Sequence, residues 1–191
     1  MPNSQTYRRR IAKIHRQLGI DPSYARERNL TLQKEPGKLV DAGPDIFGRP
    51  QQLTEEAMAG WEKMKSAAAN DGVVLALVSA FRGVDYQRGI IERKLATGTD
   101  IAAVLEVNAA PGYSEHHTGR AIDITTPGDE PLEASFETTA AFRWLRERAS
   151  AFGFSLSYPH GNPYGIAYEP WHWCYGGSSS VVQWYGRVVV R

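Results

Sequence analysis

The sequence SEHHTGRAID, residues 114–123, contains two adjacent histidines followed by an aspartate. The later segment EPWH, residues 169–172, adds a glutamate and a further histidine. Two imidazoles and one carboxylate are the kind of ligand set that a catalytic zinc ion takes, with a fourth position left for water. A spare carboxylate beside such a site can move protons. The two segments therefore predict a metal centre assembled from distant parts of the chain.

The residues between His116 and Asp123 indicate how these two side chains could converge. Gly119 falls between them, and a chain reversal often needs the positive φ that glycine adopts readily. We expect a hairpin-like reversal near Gly119-Arg120, with His116 and Asp123 facing each other across two strands. By strand alternation His117 would point away, where it could support a ligand or lie on the surface.

His172 is expected to reach the centre from a third segment, a strand predicted over residues 167–175. On a straight strand Glu169 and His172 would point to opposite faces. A proton-transferring role for Glu169 thus requires a twist or bulge, which Pro170 could cause. Cys174 would share a face with His172, but the ligand set is complete without it, and we expect a buried, unreactive thiol.

The two segments resemble the signature of the VanY-type D-alanyl-D-alanine carboxypeptidases, whose relatives include LD-carboxypeptidases and D,D-dipeptidases. The pattern is S-x-H-x-x-G-x-A-x-D followed by E-x-W-H, and no ligand position departs from it. The matching residues are Ser114, His116, Gly119, Ala121, Asp123, Glu169, Trp171 and His172. The resemblance extends over residues 73–175 and includes the segment SAFR at residues 79–82 and Gln87.

This resemblance implies one zinc ion held by His116, Asp123 and His172. It assigns Glu169 the role of general base: zinc lowers the pKa of bound water to about 7, and the carboxylate passes the proton to the leaving amine. Arg82 follows a predicted buried strand and could enter a cleft. Its guanidinium suits either a terminal carboxylate or a developing oxyanion, and both roles stay open.

Three further polar residues are candidates for binding the peptide or its carboxylate. They are Ser79, Gln87 and Ser114, each of which could instead be a cap or turn residue. Relatives often carry tyrosine where this chain has Phe81, so the pocket would lack one hydroxyl and the detailed substrate preference stays open. Trp171 is expected to pack behind the metal.

The composition argues against a nucleic-acid-binding protein and against a protein stabilised by internal disulfides. With 191 residues, 42% hydrophobic and 23% charged, the chain is typical of one soluble globular domain. Its net charge of +1 gives no general attraction for nucleic acid, and the basic run at residues 7–10 is typical of a solvated helix face. A single cysteine precludes an internal disulfide.

The sequence also lacks the signals of membrane insertion and secretion. No apolar run approaches the length of about 18 residues that a membrane-spanning helix needs. The N-terminal arginines are not followed by the apolar segment of a secretory signal. We expect a protein that works in the cytoplasm, or in the periplasm or cell envelope if a leader was removed; its oligomeric state is not predicted.

The order of predicted elements indicates an α+β fold, in which helices pack against a small antiparallel sheet. The family resemblance implies that this fold is similar to that of hedgehog proteins and D,D-peptidases. Helices are predicted over residues 5–18, 54–70, 85–95, 100–107 and 135–151, and strands over 73–78, 121–124, 154–158 and 167–175. We expect one zinc peptidase domain over residues 1–191. It would consist of an N-terminal helix with a long wrapping connection (1–50, with 30–50 rich in Gly and Pro), a catalytic core (51–176) and a tail (177–191). Residues 181–190 of the tail could form an edge strand.

The function predicted from these features is a zinc carboxypeptidase that removes terminal D-alanine from peptidoglycan stem peptides, muropeptides or their precursors. An L,D-carboxypeptidase, a D,D-dipeptidase and an endopeptidase would share the same metal and base, and the physiological metal stays open. The alternative from another class is a zinc-stabilised peptidoglycan-binding module without catalysis, as the hedgehog-like fold implies. The presence of Glu169 argues against that module. We expect no nucleic-acid partner.

Overall fold

An antiparallel sheet of four strands supports the predicted centre, because Asp123 and His172 lie on two of its strands. The computed structural model describes residues 4–176, within which there are six α-helices and six strands. The helices are α1 (Ser4–Leu18), α2 (Tyr24–Glu27), α3 (Glu55–Asn70), α4 (Val84–Ala96), α5 (Ile101–Glu106) and α6 (Ala140–Arg148). The strands are β1 (Val40–Pro44), β2 (Pro50–Leu53), β3 (Ala76–Ser79), β4 (Ala121–Thr125), β5 (Phe154–Leu156) and β6 (His172–Tyr175).

The main sheet has the strand order β3-β4-β6-β5, with every neighbouring pair antiparallel. This arrangement, with helices against the sheet, confirms the predicted α+β class. Ile122 and Ile124 of β4 join the large hydrophobic core that contains Trp61 of α3 and Leu145 of α6. Asp123 alternates with the two isoleucines and therefore faces away from that core. The predicted centre thus lies on the opposite side of the sheet.

A second hydrophobic core encloses the other side of the site. It joins α1, α4 and α5 through buried residues such as Ile11, Val84, Ile91 and Val104. Because Val84 and Ile91 are fully buried, α4 is fixed against α1 and α5, and the loop that leads into α4 is fixed with it. That loop contains Arg82.

The predicted wrapping connection over residues 30–50 is wrong in part, because β1 and β2 form a hairpin there. Asp45 closes the turn: its carboxylate accepts the backbone N–H groups of Phe47 and Arg49, the Arg49 guanidinium and the Gln51 amide. Gly48 adopts φ +75° in the same turn. The Gly and Pro content of this segment therefore reflects turn chemistry rather than a long irregular loop.

Several predicted boundaries also differ from the structure. The strand predicted over residues 73–78 is shifted to Ala76–Ser79, and those predicted over 154–158 and 167–175 are shortened to Phe154–Leu156 and His172–Tyr175. The helix predicted over 135–151 is instead α6 between two 3₁₀ turns, Ala134–Thr138 and Ala149–Phe152. Thr139 explains the first break, because its side chain caps α6 by accepting the Phe142 N–H. The edge strand predicted over 181–190 lies outside the described residues.

His116 lies on a 3₁₀ turn, Glu115–Thr118, and not on the strand predicted for it. Gly119 ends this turn with φ +64°, so the positive φ expected at this glycine is confirmed although the two-stranded hairpin is wrong. A Cβ atom at Gly119 would lie 2.6 Å from Leu39 Cδ2, the end of a flexible side chain that would have to move to admit it, so the position favours glycine mainly through its backbone conformation.

His117 is completely buried and joins two loops rather than lying on the surface. Its Nε2 accepts the Gly112 N–H at 2.9 Å, and its Nδ1–H donates to the Arg82 carbonyl at 2.5 Å. These two bonds specify one neutral tautomer. Burial lowers the pKa of His117 to about 4, which the hydrogen bond to the Arg82 carbonyl offsets only in part. His117 therefore holds the backbone of Arg82 in place.

Gly119→Ala is expected to destabilise the fold by about 1–2 kcal/mol, since the displacement of the Leu39 side chain adds a small cost to that of about 1 kcal/mol for a left-handed residue. Gly98→Ala is the matched control, because Gly98 also has a positive φ (+86°), but a methyl group added there would meet nothing within 4 Å. Urea unfolding of both variants measures the two costs. Equal losses of stability would contradict the close approach of Leu39.

His117 is expected to contribute a fall of about 2 kcal/mol in the stability of the metal-free protein between pH 7 and pH 5. The unfolded imidazole binds a proton near pH 6.5, whereas the folded one binds it only near pH 4, so stability present above pH 6.5 is lost as the pH falls through this window. His117→Gln should reduce the fall, as measured by urea unfolding with a chelator present. His160→Gln, an exposed control, should not; an unchanged slope in His117→Gln would contradict a neutral buried imidazole.

Candidate metal centre and substrate cleft

The side chains of His116, Asp123 and His172 meet at one buried point. Asp123 and His172 are directly opposite each other in the register of β4 and β6, and the 3₁₀ turn brings in His116. The His116 Nε2 atom lies 3.2 Å from the Asp123 carboxylate, and His172 Nδ1 lies 3.1 Å from Asp123 Oδ1. One donor atom from each residue lies within 4.8 Å of the other two. Their proximity is observed; their role as metal ligands stays a prediction.

The protonation of His116 and Asp123 suits a divalent cation. The His116 Nδ1–H donates to the Ala80 carbonyl at 2.5 Å, which leaves Nε2 as the unprotonated nitrogen facing Asp123. Burial lowers the pKa of His116 to about 4, so its imidazole is neutral at pH 7. Burial alone would raise the pKa of Asp123, but the charges and hydrogen bonds of His116, His172 and Arg82 hold it well below its usual value. The neutral imidazole of His116 and the carboxylate of Asp123 fit the ligand preferences of zinc. Burial opposes the charged form of His172, but its hydrogen bonds to Asp123 and Glu115 raise its pKa to about 10, so a metal ion would displace a proton from this ring on binding.

Glu169 lies beside this centre, in the turn that precedes β6. The His172 N–H donates to the Glu169 carbonyl at 3.1 Å, and the Glu169 N–H donates to the Tyr158 carbonyl at 3.1 Å. The Glu169 Oε2 atom is 3.8 Å from His172 Nδ1. The bulge expected at Pro170 is therefore unnecessary, because Glu169 is in a turn and the alternation of a strand does not apply to it. Burial raises the pKa of its carboxyl group to about 7.

Arg82 contacts Asp123 directly. Its Nη1 donates to Asp123 Oδ2 at 3.1 Å and to Ser79 Oγ at 3.1 Å. Its Nε has no hydrogen-bond partner among residues 4–176. Arg82 and Glu169 both line an inner pocket next to His116 and a cleft of about 390 Å³, here called the outer cleft. The guanidinium thus reaches from Asp123 to the space that a substrate could enter.

The three predicted substrate-binding residues occupy different places. Gln87 and Ser114 are buried and line the inner pocket. The Gln87 Nε2–H donates to the Ala109 carbonyl at 2.9 Å, while its Oε1 has no partner in the described part of the chain. Ser79 instead lies against Arg82. Trp171, expected to pack behind the metal, lines the outer cleft and also packs on the large core.

The sequence analysis missed Glu115, which neighbours His116 in the chain. Its Oε2 lies 2.9 Å from His172 Nε2, on the side of that ring away from Asp123. The position of Glu115 in the motif, directly before a predicted ligand, was the available signal. The assumption of a strand through His116 concealed it, since residues on a 3₁₀ turn do not alternate. Cys174 lies outside the cluster of donor atoms and is half-buried rather than buried, and loss of solvation raises the pKa of its thiol well above the usual value.

None of the helices within residues 4–176 is both long and apolar enough to cross a membrane.

Comparison with known proteins places this site in a family context. The family model of VanY, a D-alanyl-D-alanine carboxypeptidase, matches residues 50–178. The Bacillus subtilis protein YodJ, provisionally named a carboxypeptidase, is 35% identical over 180 residues, which are 89% of this chain and 61% of YodJ. The bifunctional D-Ala-D-Ala dipeptidase and carboxypeptidase VanXYC of Enterococcus gallinarum is 31% identical over 78% of each chain. This chain thus spans less than two thirds of YodJ.

Solved structures of peptidases also match this chain. The LD-carboxypeptidase LdcB matches with a TM-score of 0.69 and 32% identity, over 77% of this chain and 72% of that one. A variant of the D,D-pentapeptidase VanY, in complex with Zn(II), matches with a TM-score of 0.60 and 28% identity, over 76% of this chain and 84% of that one. The matched residues 50–178 contain both motif segments and all of the side chains that meet at the centre. The chain belongs to the VanY D-alanyl-D-alanine carboxypeptidase family.

Proposed function

We propose that this protein is a zinc-dependent carboxypeptidase that removes the terminal D-alanine from peptidoglycan stem peptides or their precursors. The observation that carries the proposal is the meeting of donor atoms from His116, Asp123 and His172 within 4.8 Å, beside the Glu169 carboxylate. Membership of the VanY family supports the substrate class, as does similarity to VanXYC, which is named for action on D-Ala-D-Ala.

The proposed cofactor is one zinc ion bound by His116 Nε2, Asp123 and His172 Nδ1. Zinc supplies a Lewis acid that polarises the scissile carbonyl and lowers the pKa of the attacking water. Similarity to a VanY variant whose structure contains Zn(II) supports this choice of metal. The neutral state of His116 supports it too, because an imidazole must be unprotonated to bind a metal.

Glu169 would act as the general base and then as the general acid. Its carboxylate would take a proton from the attacking water and pass it to the amine of the leaving D-alanine. Burial raises the pKa of Glu169 to about 7 in the metal-free protein, and the charge of a bound zinc ion would lower it, so the carboxylate would be ionised and able to accept a proton at neutral pH. Its position next to His172, inside both the inner pocket and the outer cleft, supports this role.

Arg82, Gln87 and Ser114 would bind the substrate. The Nε–H of Arg82, which has no partner within residues 4–176, is a donor for an anionic group, either the terminal carboxylate or the developing oxyanion. The Oε1 of Gln87, likewise without a partner in this range, is an acceptor, so it would take a peptide N–H rather than a carboxylate. Ser79 would support Arg82 from behind, through its hydrogen bond to Nη1.

A second candidate is L,D-carboxypeptidase activity on tetrapeptide stems, which the similarity to LdcB favours. A D,D-dipeptidase or endopeptidase would use the same residues, whereas a binding module would not need Glu169 inside the pocket. Mass spectrometry of defined tripeptide, tetrapeptide and pentapeptide stems after incubation separates the D,D- from the L,D-carboxypeptidase activity. Shortening of pentapeptide alone supports the D,D assignment, and shortening of tetrapeptide alone supports the L,D assignment.

Protein purified without chelators is expected to contain one zinc ion per chain and to lose hydrolysis of its stem peptide when the metal is removed. Asp123→Ala should lose both zinc and activity, because it removes a ligand and leaves Arg82 without its charged partner. Elemental analysis and the stem-peptide assay check this. Full hydrolysis by metal-free protein would contradict the proposal.

Glu169→Gln is expected to lower kcat by about 10²–10⁴-fold, the usual contribution of a general base, while zinc content and fold are retained. Glu130→Gln, a change at an exposed acid that lines neither the inner pocket nor the outer cleft, is the matched control and should behave as wild type. The rate of D-alanine release measures both. Unchanged kcat in Glu169→Gln would remove this carboxylate from the mechanism.

A further inference from the structure

The two nitrogens of the His172 ring face different carboxylates. Nδ1 lies 3.1 Å from Asp123 Oδ1, at the centre, whereas Nε2 lies 2.9 Å from Glu115 Oε2 on the far side of the ring. The His172 side chain is only 3% exposed. Both ring positions are therefore occupied by protein groups, and the orientation of the ring is determined by Glu115 on one side and by the centre on the other.

Glu115 is itself held in place by its neighbours. The Ser157 hydroxyl donates to Glu115 Oε2 at 2.6 Å. The Thr118 hydroxyl donates to the Glu115 carbonyl at 2.6 Å, which fixes the backbone of the 3₁₀ turn. The carboxylate that touches His172 is thus oriented before any ligand binds.

The two histidines of the centre differ in what supports them. The ring nitrogen of His116 that points away from the centre donates to a neutral acceptor, the Ala80 carbonyl. The corresponding nitrogen of His172 meets the charged acceptor Glu115. A carboxylate acceptor makes a stronger hydrogen bond than a carbonyl and increases the basicity of the imidazole more. His172 should therefore be the histidine whose metal affinity depends most on a side chain that does not touch the metal.

We propose that Glu115 is a positioning residue of the metal centre, which holds the Nε2–H of His172 so that Nδ1 faces Asp123 and binds the metal. Ser157 acts in series with Glu115 by orienting its carboxylate. This inference rests on the zinc site of the proposed function but not on its reaction, so it can be tested by metal binding alone.

The test is the dissociation constant for Zn²⁺, measured by competition with a chromophoric chelator on the full chain. Glu115→Gln keeps a neutral acceptor and is expected to weaken binding by about tenfold, and Glu115→Ala, which removes the acceptor, by up to about 100-fold. Ser157→Ala should weaken binding less than either change. Glu130→Gln should bind as wild type. Circular dichroism of the metal-free variants shows whether the proteins compared are folded. If Glu115→Ala does not fold, the comparison of Glu115→Gln with the wild type alone decides the test.

Co²⁺ substitution provides a readout that a general loss of stability would not change. The visible absorption bands of bound Co²⁺ report ligand geometry, and we expect them to shift in Glu115→Gln at saturating metal but not in Glu130→Gln. Wild-type Zn²⁺ affinity together with wild-type Co²⁺ bands in Glu115→Gln would overturn the inference and leave the proposed function intact. Failure of the wild-type protein itself to bind Zn²⁺ would overturn both.

Discussion

The pairing of Asp123 with His172 across β4 and β6 is the interaction on which the site depends. It places a carboxylate and an imidazole at the same level of the sheet, on the face opposite the large core. A carboxylate that is only 2% exposed would be costly without partners, and Asp123 has three of them: His116, His172 and Arg82. The same contacts that make the buried charge tolerable also bring the candidate ligands together.

One turn brings further side chains to this pairing. The 3₁₀ turn that ends at Gly119 brings His116 to Asp123, and it also carries Glu115 behind His172 and His117 behind Arg82. Three consecutive side chains of one turn thus serve the same site: Glu115 contacts His172, His116 faces Asp123, and His117 holds the backbone of Arg82. This is possible because a 3₁₀ turn directs successive side chains about 120° apart, whereas a strand would direct them to only two faces.

The sequence allowed the α+β class, most of the helices and the side chains of the site to be predicted, because they depend on short-range patterns and on a motif. Apolar spacing marks α3, and the positive φ of Gly119 follows from its place in a reversal. The β1–β2 hairpin, the 3₁₀ turn and the turn at Glu169 were not predicted, since each depends on tertiary hydrogen bonds such as those of Asp45. Glu115 was missed for the same reason: its partner His172 is remote in sequence and becomes a neighbour only through the sheet.

The most direct test of the account is a crystal structure of protein purified without chelators, with anomalous diffraction data collected at the zinc edge. The account predicts one anomalous peak bound by His116 Nε2, Asp123 and His172 Nδ1, at about 2.0–2.2 Å from each donor atom. No peak at this position, or a zinc ion bound by other residues such as Cys174, would contradict it.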